Sequence, residues 1–230
     1  MEVFLIPVGA DRYELYCEVP DEDASAAGPE HDRGFFRGLV RRFRDTLGQI
    51  ERERYVREAD VPPHPANLYE RAKRASLRKV AETMAEQRLL WHMRRQTAAV
   101  AVHPADLTTA DAERVVRTGL QADYEKHRVW LVVNVLLTLL SAALIVLPGP
   151  NVIGYYFVFR MVGHYFAMRG ARQGLDHATW AYRPSDALTE LRPLAPLDCA
   201  ERRPLVEAIA EQLQLEHLRH FFDRVAAPGA

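Results

Sequence analysis

The sequence has little cysteine, little net charge and no segment of extreme composition, and each scarcity excludes a class of protein. Cys17 and Cys199 are the only cysteines among 230 residues, too few for a disulfide framework or a cysteine-based zinc site. A net charge of −1 argues against a basic chain that binds nucleic acid. Because hydrophobic residues make up 48% of the chain, disorder throughout is also excluded. We therefore expect an ordered protein with no nucleic-acid partner.

Motifs that carry chemistry are missing from the sequence as well. It contains none of the spacings of zinc hydrolases, P-loops, dinucleotide-binding turns, nucleophile elbows or calcium-binding loops. His217 and His220 would share a helical face, but the sequence places no further metal ligands near them. We therefore predict that the protein is not an enzyme and that it holds no cofactor and no metal ion.

Charge is segregated along the chain although its sum is near zero. Met1 to Glu30 carries eight acidic residues and one basic residue, whereas His31 to His103 carries sixteen basic and nine acidic ones. The basic part begins with a phenylalanine-rich helical period, in which the arginines lie between the apolar positions: Arg37, Arg41, Arg42 and Arg44. This helix either faces anionic lipid with its basic side or packs as an ordinary helix with a solvated basic face.

The longest uncharged stretch of the chain lies between Arg128 and Arg160. Val129–Leu147 is almost continuously apolar, and as a helix it would be ~28 Å long, close to the hydrocarbon thickness of a bilayer. A turn then follows, formed by Pro148, Gly149, Pro150 and Asn151, before a second apolar helix. The pattern predicts a helical hairpin across a membrane; the alternative is a buried hairpin in a soluble helical protein.

The two predicted helices carry polar and small residues on matching faces. Asn134, Thr138 and Ser141 share one face of the first helix, and antiparallel pairing sets Arg160 and His164 at their level. Ionisable groups at membrane depth often mark ion paths or proton relays, so these five residues form a candidate ion or proton path. In the alternative, Arg160 only reaches toward the headgroups and neither residue moves charge. The second helix also has a small-residue packing face, made of Gly163, Ala167, Gly170 and Gly174.

The rest of the chain divides around this hairpin into four regions. Residues 1–19 predict a β-hairpin, and residues 20–125 a soluble helical region with helices over 34–60, 66–100 and 108–120. Thr108 and Asp111 have the spacing of a capping box for the last of these helices. Residues 126–175 form the hairpin, and residues 176–230 an irregular segment followed by an amphipathic helix over Leu205–Val225. The predicted fold is mainly α: a helical membrane protein with one transmembrane or embedded hairpin and a small N-terminal β-hairpin.

Two regions of the sequence resemble a known family. Leu147–Asn151, Tyr155–Arg160 and Arg169–Ala171 are similar to the mitochondrial K+/H+ exchange-related family. Phe4–Val8 and Leu15–Cys17 resemble the N-terminus of the same family. The resemblance implies a membrane protein connected with K+ and H+ exchange and ion homeostasis, and it carries over no catalytic or ion-binding residue. The start of the chain lacks an arginine-rich, acid-poor transit sequence, which favours a bacterial inner membrane over a mitochondrial one.

Two hypotheses of function follow from these patterns. In the first, an oligomer exchanges K+ for H+ along the candidate path, because one hairpin per chain encloses no aqueous route. In the second, the chain is a membrane-anchored accessory or scaffold protein without transport activity, since most of its residues lie outside the hairpin. The expected partners are a lipid membrane and either further copies of the chain or a protein complex.

Overall fold

The computed structural model describes residues 1–18, 89–142 and 152–226. The strands in these ranges are β1 (Glu2–Pro7), β2 (Tyr13–Tyr16), β3 (Ala98–Pro104) and β4 (Thr179–Ser185). The helices are α1 (Thr109–Ala142), α2 (Val152–Asp176), α3 (Asp186–Glu190), α4 (Cys199–Leu213) and α5 (Leu218–Val225), and a 3-10 turn covers Arg192–Leu194. Residues 89–93 are also helical. The predicted hairpin turn at 148–151 and the basic helix with Arg37, Arg41, Arg42 and Arg44 lie outside the described residues.

The strands form one mixed sheet in the order β2-β1-β3-β4. β1 and β2 are an antiparallel hairpin, with Pro7 opposite Tyr13. β3 runs parallel to β1 on one side and to β4 on the other, where Ala98 lies opposite Thr179. β1 and β3 are buried along nearly their whole length. Parallel strands that are buried on both faces have short continuous apolar runs in their sequences, and these two strands fit that rule.

Helices cover both faces of this sheet. One face packs on the C-terminal helices in a core that includes Phe4, Ile6, Val102, Leu188, Val206 and Phe222. The other face packs on the beginning of α1 and the end of α2 in a core that includes Val3, Leu5, Ala101, Val116, Leu120 and Ala171. Alternate residues of β1 and β3 therefore serve opposite cores, as the two-residue period of a strand requires. The result is a three-layer α/β/α unit.

The chain divides into two compact units. The α/β unit contains Met1–Pro20, Leu89–Val129 and Phe166–Ala230, and the second unit contains Asp21–Arg88 and Trp130–Tyr165. Within the second unit the structure describes residues 130–142 of α1 and residues 152–165 of α2. These two helical pieces carry the candidate path.

The predicted fold class is wrong. The described residues form a mixed α/β structure with a four-stranded sheet, so the β-hairpin at the start of the chain is not a small addition to an all-helical protein. In residues 1–18, 89–142 and 152–226, no helix combines the length with the apolar character that a membrane crossing requires. The apolar residues from Val129 onward continue a helix that begins at Thr109 with a charged half, and they are not the separate transmembrane helix that we predicted.

Helix starts were predicted better than helix ends. The Thr108 hydroxyl accepts a hydrogen bond from the Asp111 backbone N–H at 3.2 Å and donates one to the Asp111 carboxylate at 2.6 Å. The capping interaction is therefore confirmed, but the helix does not stop near residue 120 and runs on to Ala142. The helix predicted over 66–100 does not reach Val100 either, because β3 begins at Ala98. Its alanines favour a helix, and pairing with β1 and β4 overrides this local preference.

The C-terminal region is more ordered than the sequence predicts. Its supposedly irregular start contains β4 and α3, and the single helix predicted over Leu205–Val225 is two helices, α4 and α5. The break comes at Gln214, which has a left-handed backbone with φ of 57°. The Leu215 N–H donates to the Ala210 carbonyl at 2.8 Å, a bond back across the left-handed residue that closes the end of α4.

A half-buried arginine ties three loops together near the C-terminal end of β3. The Arg192 guanidinium donates to both carboxylate oxygens of Asp106, at 3.0 and 3.1 Å, and to the Tyr13 hydroxyl at 2.8 Å. It also donates to the Ala10 carbonyl at 2.5 Å. Burial lowers the pKa of Arg192, but the hydrogen bonds with Tyr13 and Asp106 outweigh burial, and the pKa is raised overall. Four of its five N–H donors are occupied by these bonds, so we assign a structural role to Arg192.

The Glu18 carboxylate holds the start of α5, and its loss should weaken the fold. Its two oxygens accept the backbone N–H groups of His217 at 2.7 Å and Glu216 at 2.8 Å. We expect Glu18→Gln to lower the free energy of unfolding by ~1–2 kcal/mol, because the amide is uncharged and keeps one acceptor oxygen for two N–H groups. Urea denaturation measures the change. The control is Glu211→Gln on the exposed side of α4; equal stability of the two variants would contradict a capping role for Glu18.

Candidate functional site

The polar face of α1 is hydrogen-bonded to its own helix. The Asn134 side-chain amide donates to the Trp130 carbonyl at 2.7 Å, and the Thr138 hydroxyl donates to the Asn134 carbonyl at 2.7 Å. The Ser141 hydroxyl donates to the Thr138 carbonyl at 2.8 Å. Asn134 and Ser141 are buried. Such bonds to the preceding turn satisfy a polar side chain inside a helix without any ligand.

Arg160 and His164 lie one turn apart on α2 and contact each other. An Arg160 N–H points at His164 Nε2 at 3.5 Å, and another donates to the Tyr156 hydroxyl at 3.1 Å. His164 is only 4% exposed, and its ring stacks on Trp130 with a centroid distance of 6.2 Å and an interplanar angle of 17°. The Arg160 guanidinium carbon is 5.6 Å from the Trp130 ring centroid and 5.9 Å from that of Tyr156.

The cluster is built around one permanent positive charge. A guanidinium stays protonated in proteins and only donates hydrogen bonds, and the Arg160 guanidinium faces His164 Nε2. The cluster is therefore a fixed cation with aromatic rings on its sides and an imidazole beside it.

The structure brings together only some of the residues predicted for the path. Arg160 and His164 meet directly, and Trp130 links them to α1, where its carbonyl accepts the Asn134 amide. Thr138 continues the same ladder one turn further along α1. Their role in conducting an ion stays a prediction.

Sequence reasoning missed two members of the cluster, Trp130 and Tyr156. The signal for Tyr156 was present, because Tyr156, Arg160 and His164 recur every four residues and so share a helical face. In the sequence, Trp130 is one residue of the apolar stretch Val129–Leu147 and nothing local distinguishes it. Its ring lies against residues of the other helix, a contact that no local pattern reveals.

The four small residues predicted as a packing face are all buried. The structure shows what Gly170 and Gly174 pack against. Gly170 packs against the backbone of Leu90 in the helical segment 89–93. Gly174 packs against the side chains of Leu120 and Met93. Ala167 belongs to the same core. In the α/β unit this face thus contacts the segment before β3 and the first half of α1.

The described part of α1 in the second unit also exposes an apolar face. Its large side chains are between 44% and 68% exposed: Trp130, Val132, Leu136, Leu139 and Leu140. Val132, Leu136 and Leu139 follow the 4-then-3 spacing of a helix–helix seam. Contiguous exposed apolar side chains of this kind mark interaction surfaces more often than ordinary protein surface.

Comparison with known proteins gives one match. Residues 2–177 match the family described as mitochondrial K+-H+ exchange-related. No curated protein and no solved structure matches the chain. The match covers most of the sequence, including the sheet up to β3, both long helices and the Arg160–His164 cluster, and the chain therefore belongs to the mitochondrial K+-H+ exchange-related family.

Proposed function

We propose that this chain takes part in K+/H+ exchange as an accessory protein, without transport activity of its own and acting through contacts with other protein chains. The family assignment supports the connection with exchange. The observation that carries the accessory role is the Arg160 guanidinium beside His164, at the centre of the supposed ion path. Residence at a bacterial inner membrane stays a prediction, because the family's description names mitochondria.

A fixed positive charge repels a cation that moves past it. A K+ ion ~4 Å from a guanidinium is repelled by ~1 kcal/mol in water and by ~4 kcal/mol at the effective dielectric constant of a protein surface. Cation movement past this cluster would therefore work against its electrostatics.

The exposed apolar face of α1 supports action through protein contacts. It has no charged residue, since the chain is uncharged from Val129 to Phe159, and its large side chains stand more than two-fifths exposed. A preformed helix that presents a seam of Val and Leu is suited to pack against a helix of another chain. Assembly with further copies or with an exchanger would cover this face.

The competing candidate is an oligomer that itself exchanges K+ for H+. The burial of Asn134, Ser141 and His164 favours it, because buried polar groups are costly and are often kept for function. In that case His164 would be essential to transport. The two candidates thus make opposite predictions for the purified protein.

Transport by the purified chain decides between them. We expect proteoliposomes that contain the chain and an internal pH dye to respond to a K+ gradient no faster than empty liposomes. Membrane vesicles from cells that lack the chain should exchange K+ for H+ more slowly than vesicles from intact cells, because the accessory protein is missing. Added protein should restore the rate.

His164→Ala and Arg160→Gln serve as the matched variants in the liposome assay. If the chain alone moved H+ in response to K+ and His164→Ala abolished the movement, the accessory role would be wrong. If vesicles with and without the chain exchanged at the same rate, its connection with exchange through other proteins would be contradicted.

A further inference from the structure

Hydrogen-bond donors around Arg160 outnumber the acceptors. The guanidinium has five N–H donors, and two of them are engaged, with the Tyr156 hydroxyl and with His164 Nε2. Within the described part of the chain no carboxylate pairs with Arg160, whereas Arg192 and Arg202 both have one. Arg160 is half-buried, so its charge is only partly compensated by water. As far as the described residues go, three guanidinium N–H groups are left for an acceptor.

The aromatic neighbours add donors to this surplus. The Tyr156 hydroxyl accepts from Arg160, which leaves its own proton to donate. The Trp130 indole N–H has no acceptor among the described residues, and the Trp130 ring is 5.6 Å from the guanidinium carbon. Trp130 is 44% exposed and Arg160 is only half-buried, so the cluster is open to solutes. Guanidinium, phenol and indole together offer positive charge and several N–H and O–H groups.

We propose that Arg160, Tyr156 and Trp130 form a binding site for a phosphate group. A phosphate group brings negative charge and tetrahedrally arranged acceptor oxygens, which suits a guanidinium fork with further donors beside it. The rings of Trp130 and Tyr156 hold the guanidinium in place, so little side-chain entropy is lost on binding. The phosphate is either free in solution or carried by a lipid headgroup, because both present non-bridging phosphate oxygens. This site is independent of whether the chain moves cations.

The indole N–H signals of the full chain provide the test. Labelling with 15N-tryptophan gives one indole signal each for Trp91, Trp130 and Trp180, and a Trp130→Phe variant assigns the signal of interest. We expect the Trp130 signal to shift saturably as inorganic phosphate replaces chloride at constant ionic strength. Trp91 and Trp180 lie in the α/β unit, and their signals should not move. Their positions also show that each variant is folded.

Variants of the cluster and a matched control define the outcome. Arg160→Gln should weaken the phosphate-dependent shift by ~10-fold or more, and Arg160→Lys should weaken it less, because charge is kept while the fork is lost. Arg169→Gln, an exposed arginine of the same helix, should behave as the original chain. A parallel titration with soluble short-chain phosphatidylglycerol identifies the source: tighter binding of the lipid indicates a headgroup, and tighter binding of inorganic phosphate indicates a free ion.

Two results would overturn the site. One is the absence of a saturable Trp130 shift with both phosphate and the short-chain lipid. The other is a shift of the same size and midpoint in Arg160→Gln as in the original chain, which would show that phosphate acts elsewhere. A liposome assay that contradicted the accessory role would leave this binding result unchanged, so the two proposals fail separately.

Discussion

Replacing Gly170 with alanine should lower the free energy of unfolding by ~3 kcal/mol or more, one of the largest effects that we expect of a single methyl group. A Cβ at this position would lie 2.5 Å from the carbonyl carbon of Leu90 and closer still to its carbonyl oxygen. Both are backbone atoms, so α2 and the helical segment 89–93 would have to move apart. Overpacking that shifts backbone costs ~1–3 kcal/mol and occasionally more.

Gly174→Ala is the control, one turn along the same face. Its Cβ would meet Leu120 Cδ1 at 3.0 Å and Met93 Cγ at 3.2 Å, which are ends or bends of flexible side chains. Alanine also gains up to ~1 kcal/mol over glycine inside a helix, so this variant should stay within ~1 kcal/mol of the original. Thermal unfolding should separate the two variants by roughly 6–12 °C. Equal melting temperatures would show that α2 does not approach Leu90 as closely as the structure has it.

The same glycines show what the sequence reveals and what it conceals. The spacing of Gly163, Ala167, Gly170 and Gly174 indicates a face for close packing, and helical periodicity is enough to find it. The neighbour of that face cannot be found in this way. For Gly170 it is Leu90, which lies far away in the sequence, so no local pattern identifies it.

The sheet also depends on contacts between distant residues that a sequence pattern does not reveal. The hairpin of β1 and β2 is local, its strands alternate or run apolar, and the sequence predicts it within a few residues. β3 and β4 are parallel to β1 and to each other, and their partners are distant in sequence. Ala98–Pro104 follows a helical stretch and consists largely of alanine and valine, and Thr179–Ser185 contains a proline. Local propensity is weak for both, so long-range pairing determines their structure.

The uncharged stretch from Val129 to Phe159 gave a wrong prediction of a transmembrane helix for a different reason. Hydrophobicity from Val129 onward indicates that these side chains avoid water, but it does not say what covers them. In the described part of α1 some of them are exposed and others are buried, a pattern that fits a helix with one packed side. Likewise, Arg160 and His164 were recognised by their types, whereas their aromatic surroundings came only from the structure.

Replacing Arg202 with alanine should lower the free energy of unfolding by ~3–5 kcal/mol. Arg202 is fully buried and connects α4 with the end of α5. Its Nε donates to the Asp223 carboxylate at 3.1 Å, and its two terminal nitrogens donate to the Ala226 carbonyl at 2.9 Å and the Asp223 carbonyl at 3.3 Å. Removing one partner of a buried ion pair leaves groups without hydrogen bonds, and a cavity adds to the cost.

Two further variants, Arg202→Lys and Arg203→Ala, separate the causes of this loss of stability. Arg202→Lys keeps the positive charge but cannot serve a carboxylate and two carbonyls at once, so it should recover only part of the stability. Arg203→Ala removes an exposed arginine from the same helix and should change the free energy of unfolding by ~0.5 kcal/mol or less. Urea denaturation with the midpoint and slope of each variant measures the three effects. If Arg202→Ala were as stable as Arg203→Ala, the guanidinium would not hold α5 in place. The packing of Phe222 against α4 would then have to be sufficient by itself.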